Sequence, residues 1–134
     1  MKKSLLSLLV LPLCLAAAGA QAAGWARVDS PSADYKLYVD QSTAEKSGPG
    51  MVQLWHVADY AQPQDRDGKP YKSVKFRNEY DCEKGMVRDL LRSWHKEQMG
   101  EGIVVYWNHG PWPWNKPEAG SIDETLLRAT CAAK

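Results

Sequence analysis

The chain has 134 residues, 25% of them charged, with 17 basic side chains against 16 acidic ones. That length suits one compact domain, and so even a charge balance supplies no basic surface for nucleic acid or anionic lipid. Beyond the N-terminal run, no segment approaches the roughly 20 apolar residues that a membrane-spanning helix needs.

The chain opens with Lys2 and Lys3, an apolar run from Leu5 to Ala18, and the small-x-small triplet Ala20-Gln21-Ala22. This is the pattern of a secretory leader with its cleavage site. Residues 1–22 are therefore expected to be removed, leaving residues 23–134 as a single exported domain of about −1 net charge. Cys14 follows Leu13, where an acylation site would carry Gly, Ala or Ser, so it is expected to leave with the leader rather than carry lipid. Cys82 and Cys131 then remain. An even count in an oxidising compartment favours a disulfide over a metal site.

Trp25 to Asp29 reads as a short first strand, ended by Ser30-Pro31-Ser32. In Tyr35 to Asp40 apolar and polar residues alternate as in a second strand, and Thr43 to Gly50 reads as a polar turn with Pro49 between two glycines. Met51 to Tyr60 is apolar on both faces, which places a third strand centrally. Ala61 to Pro70 reads as a charged loop in which Asp67-Gly68 marks a reversal, so the flanking strands should form a hairpin. The clearest strand is Lys69 to Cys82. Val74, Phe76, Asn78, Tyr80 and Cys82 fall on one side of its period-two pattern, while Ser73, Lys75, Arg77, Glu79 and Asp81 fall on the other. Cys82 thus points toward the core, where Cys131 on a C-terminal helix is its partner in the mature chain.

Glu83 to Met99 is ambiguous, since Met86, Val87, Leu90, Leu91 and Trp94 recur at helical spacing. Gly102 to Asn108 contains Ile103, Val104 and Val105 in succession, a β-branched run expected to fill a buried strand. The proline-rich stretch from His109 to Gly120 should not continue a ladder. Ser121 and Glu124 then form an S-x-x-E capping box at the start of the last helix, whose apolar stripe is Ile122, Leu126 and Leu127.

Taken in order, several short motifs carry a family resemblance. Trp25, Tyr38-Val39-Asp40, Trp55 with Asp59-Tyr60, and Lys72-Ser73-Val74-Lys75 running into Tyr80-Asp81-Cys82 make the first half. Met99-Gly100-x-Gly102-Ile103-Val104-Val105, Trp114, and Pro117-x-x-Gly120-Ser121 leading to Cys131 make the second. This order resembles the surface-adhesin protein E-like family, small exported proteins of Gram-negative bacteria. The resemblance implies an α+β fold: a bent antiparallel sheet of about six strands, with a C-terminal α-helix on its concave face tied down by the disulfide. It also implies that Glu83 to Met99 is a strand. Functionally it implies a non-enzymatic protein in the periplasm or at the cell surface that binds a protein partner, as the best-known member binds host matrix and serum proteins. Haem binding, discussed for that member, makes a carrier of a planar ligand the alternative.

From the residues themselves, the densest aromatic stretch is Trp107, His109, Trp112 and Trp114, interleaved with Pro111 and Pro113. Indoles on a stiff backbone offer large contact area at low entropic cost, so these four residues are the expected partner-binding site. The plainer reading is that some of the rings cover the end of the core. His56, His95 and His109 show no metal-ligand spacing, and no metal or cofactor is expected. No G-x-S-x-G, H-E-x-x-H or phosphate-cradling loop is present, so no catalytic residue is assigned. A periplasmic enzyme with an unrecognised site is the second alternative. Asp81 and Glu83 flank Cys82 and are expected to be solvated, as is the Asp65–Lys69 turn. Edge strands such as Trp25–Asp29 suit pairing into a homodimer.

Overall fold

The computed structural model describes residues 24–132. The leader, its cleavage site and Cys14 lie outside the described residues. Six strands form one antiparallel sheet in simple sequential order: β1 (Trp25–Val28), β2 (Tyr35–Gly48), β3 (Met51–Arg66), β4 (Lys69–Asp81), β5 (Met86–His95) and β6 (Val104–His109). A 3-10 turn, Gln98–Gly100, separates β5 from β6, and α1 (Ile122–Ala132) ends the chain.

The alternation in β4 sets the two faces. Cross-strand register aligns Val39, His56 and Phe76 in one row and Leu37, Ala58, Val74, Trp94 and Tyr106 in the next. The helix lies on this face, with Leu126 fully buried among Leu37, Leu54, Phe76, Tyr80 and Val87. Ser121 caps α1 by accepting a hydrogen bond from the Glu124 amide at 3.2 Å. The Glu124 carboxylate reaches back to the Gly120 amide at 2.7 Å, one residue before the cap. At the other end of α1, Cys131 is bonded to Cys82 with their Cα atoms 5.6 Å apart. The sheet, its helix and this disulfide are those expected.

Two expected turns are strand instead. β2 runs on to Gly48 through register shifts after Asp40 and Lys46, so the reversal is only Pro49-Gly50, where Gly50 has φ 67°. The β3–β4 hairpin likewise extends to Arg66 and Lys69, with Asp67 (φ 52°) and Gly68 (φ 76°) making the reversal that an Asp-Gly pair favours. An irregularity between Asp59 and Gln64 bends this arm.

Glu83 to Met99 contains β5, as the resemblance implies and against its helical spacing. The register slips by one residue between the Arg77–Leu91 and Asn78–Asp89 pairs, leaving Leu90 as an extra residue. A bulge joins two period-two runs out of phase, and the apolar positions then recur at about 3.5 residues as in a helix.

The β-branched run is corrected more sharply. β6 pairs only with β5 and is an edge, with Ile103 69% and Val104 45% exposed. Nor does the ladder stop at the prolines. The Gly110 amide donates to the Leu90 carbonyl at 2.8 Å, the Trp112 amide to the Asp89 carbonyl at 3.0 Å, and Asn115 pairs with Val87 in both directions. Pro111 and Pro113 flank the Trp112 donor and have no amide hydrogen of their own, so the stretch follows β5 without offering a donor at either position. Asp81 is also buried rather than solvated: its Oδ1 accepts from the Glu83 and Lys84 amides and forms the β4–β5 turn.

Candidate functional site

The four residues singled out from the sequence all lie along the β6 edge and its continuation, but they do not converge. Trp107 pairs with Ser93 and His109 with Leu91, which puts both on the face opposite the helix. Their rings meet edge to face with centroids 5.1 Å apart. Trp107 is 59% exposed. Trp112 follows the cis Gly110–Pro111 bond and is 36% exposed. Gly110 has to be glycine, because a Cβ there would stand 2.3 Å from the Trp112 nitrogen and 2.9 Å from the Asp89 carbonyl oxygen. Trp114 is half-buried, with the Arg88 guanidinium 4.5 Å from its ring centroid. Arg88 is in turn held by Glu79, at 2.6 Å from Nε and 2.5 Å from Nη2. The result is a ridge along a sheet edge, with Trp107 and Trp112 outermost and Trp114 braced beneath.

The Val104–His109 strand has no charged residue and no proline. Natural sheets usually protect an edge with such residues, because its outward amides and carbonyls are a template for another strand.

Two hollows lie elsewhere, and neither is lined by any of the four ridge residues. A cleft of about 860 Å³ runs between the β2–β3 turn and the disulfide, walled by Lys46, Met51, Val52 and Cys131. A smaller cavity of about 270 Å³ opens beside the first turn of α1, where Tyr35, Tyr60, Tyr71 and Trp94 face Ile122 and Asp123. Tyr35 and Tyr60 are direct cross-strand partners, and Tyr71 approaches Tyr60 across the bend in the β3–β4 arm. These tyrosines were not singled out from the sequence. Each sits in a recognisable strand, but only the register brings residues 35, 60 and 71 together.

The sequence model of the surface-adhesin protein E family matches residues 25–132, essentially the whole described chain. The chain belongs to that family. Among solved structures it is similar to protein E of Haemophilus influenzae, at 14% identity over 84% of this chain and 88% of that one, with a TM-score of 0.61. Protein E from a non-typeable strain matches at 14% identity over 83% and 77% of the two chains, with a TM-score of 0.63. Identities that low establish a shared fold. Comparison with curated proteins finds no match.

Several polar residues of this family member are committed to structure. His56 is fully buried and shares a 2.8 Å hydrogen bond with the Tyr80 hydroxyl. Burial lowers the His56 pKa to about 3, so the ring is neutral. His95 bonds Ser93 at 2.8 Å, and His109 lies beside Trp107, so the three histidines do not meet. Among the described residues no cluster of three or more His, Cys, Asp or Glu is placed to hold a metal. Asp59 and Ser73 fix the 3-10 turn, accepting from the Met99 amide at 2.6 Å and the Gly100 amide at 2.8 Å. No described helix is long and apolar enough to cross a membrane.

Proposed function

We propose that this chain is an exported, non-enzymatic binding protein of the bacterial envelope, and that it engages a protein partner through the β6 edge, with Trp107, His109, Trp112 and Trp114 as its recognition residues. The observation that carries the reading is the exposure of large apolar side chains on and just before an uncharged edge strand: Ile103, Val104 and Trp107 at 69%, 45% and 59%. A monomer gains nothing from keeping such a strip in water, whereas a partner could cover it and pair with the free edge of β6. Exposure makes Trp107 and Trp112 the anchors, with Trp114 and Arg88 holding the ridge from beneath. Membership of a surface-adhesin family supports a partner outside the cell.

The test is binding of the mature protein to immobilised matrix and serum proteins, alongside sedimentation to ask whether a second copy is the partner. Trp107→Ala and Trp112→Ala should each weaken whichever association is found by roughly 2 kcal/mol, about 30-fold. Their melting temperatures should stay close to that of the parent, because neither ring is in the core. Unaltered association in the double variant would overturn the reading. So would collapse of the fold.

A further inference from the structure

The cavity beside the first turn of α1 is a second, chemically different site. Tyr35 and Tyr60 lie 5.4 Å apart with planes inclined at 55°, and Tyr60 and Tyr71 lie 5.8 Å apart at 89°. Rings set at such angles surround a volume rather than forming one flat platform. Phe76 and Trp94 continue the wall, and Ile122 and Asp123 close it from the helix.

Aromatic faces carry the negative side of the ring quadrupole and attract cations. This molecule already shows that affinity on the same wall, where the Arg66 guanidinium stands 4.0 Å from the Trp94 centroid and 3.9 Å from that of Tyr106. Charges of both signs face the cavity, and Arg66 on the Trp94 ring is one of the positive ones. Arg92 lines it, but its guanidinium donates to Asp89 at 2.6 Å, so that pair is compensated. Asp123, on α1, has no ion-pair or hydrogen-bond partner for its carboxylate among the described residues. Burial, then the nearby Asp89 charge, push the Asp123 carboxyl above its ordinary pKa, opposed by Arg92. At Tyr60 the Arg92 charge opposes the smaller contribution of Asp34. A carboxylate with no direct partner on the wall of a ring-lined hollow is an arrangement that a bound cation would neutralise.

We propose that this cavity binds a small organic ammonium group, quaternary or protonated, with Tyr35, Tyr60, Tyr71 and Trp94 against its alkyl surface and Asp123 as its counter-charge. At about 270 Å³ the space lies below the range of drug-sized pockets and admits a headgroup or one side chain. The ammonium could belong to a free small molecule or to a lysine of a peptide.

Tetramethylammonium and choline, titrated into the mature protein, test the site by calorimetry and by the N-methyl proton resonance. That resonance should move upfield, because ring currents act on methyl groups held against aromatic faces. The neutral isostere 3,3-dimethylbutan-1-ol should bind at least tenfold more weakly than choline. Asp123→Asn and Tyr60→Leu should each weaken choline at least fivefold, with melting temperatures measured to confirm a folded protein. Trp107→Ala should leave choline binding unchanged, so failure here is distinguishable from failure of the edge as a partner surface. Choline tighter than an N-acetyl-lysine amide assigns the site to free ammonium compounds, and the reverse order assigns it to a peptide side chain; both support the proposal. Equal affinity for the neutral isostere, no upfield shift, or an unaffected Asp123→Asn variant would overturn it.

Discussion

The two aromatic regions of this domain use the same kind of side chain to opposite geometric effect. Along β6 and its continuation, Trp107 and Trp112 project from an edge that carries no charge within the strand and lines neither hollow. Beside α1, Tyr35, Tyr60 and Tyr71 incline toward one another around a hollow with a carboxylate on its wall. A ridge suits a macromolecule, which can bury rings and pair with backbone at once, whereas a hollow suits a small ligand. The regions also differ in what supports them. The ridge is held by the sheet, through the Leu90 and Asp89 carbonyls of β5 and the Glu79–Arg88 pair, but the hollow is completed by the helix and so depends on whatever keeps α1 docked.

Acid should separate them most strongly. His56 lies on the helix-bearing face with a folded pKa of about 3, against 6.5 for an ordinary histidine. Between those values the unfolded chain binds the extra proton, so stability from this residue is complete above pH 6.5 and is lost as the pH falls toward 3. The loss is as much as about 5 kcal/mol at the lower limit. Urea unfolding at pH 7 and pH 4 should show about 3 kcal/mol of this loss, and ammonium binding should fail along with the helix-bearing core. Equal stability at the two values would show that His56 accepts a proton in place.

Removal of the disulfide is the next largest perturbation and the more selective one. Cys82 and Cys131 are 49 residues apart in sequence, and opening a loop of that size costs about 4 kcal/mol in the chain-entropy model. Cys82→Ser combined with Cys131→Ser should lower the melting temperature and weaken choline far more than it weakens partner binding at the β6 edge. Equal losses at both surfaces would mean that the ridge depends on the helix after all.

The smallest change sharpens the contrast locally. Ser121→Ala removes the N-cap that bonds the Glu124 amide and should cost about 1 kcal/mol. Asp123 lies in that first turn, so fraying there should reduce choline affinity by about 2- to 3-fold while the Trp107 edge binds as before. Thermal melts paired with calorimetry would show whether the two effects travel together.

Local patterns in the chain settled what depends on near neighbours. Alternation from Val74 to Cys82 fixed which face of β4 meets the core, Asp67-Gly68 fixed a reversal, Ser121 and Glu124 fixed the start of α1, and the pair Cys82 and Cys131 fixed the staple. Each rests on the pleat, on turn dihedrals or on capping, physics that acts within a few residues. The tertiary structure alone decided which strand has no outer neighbour. Ile103 to Val105 has the composition of a buried strand, and composition cannot say that β6 is the last member of the sheet. The same limit hid the bulge at Leu90, since the residue that slips is defined by its partners Arg77 and Asn78 rather than by its own flanks. It hid the hollow too: Tyr35, Tyr60, Tyr71 and Asp123 become neighbours only when the register of three strands and the docking of a helix are both set, and those are long-range contacts that no local pattern encodes.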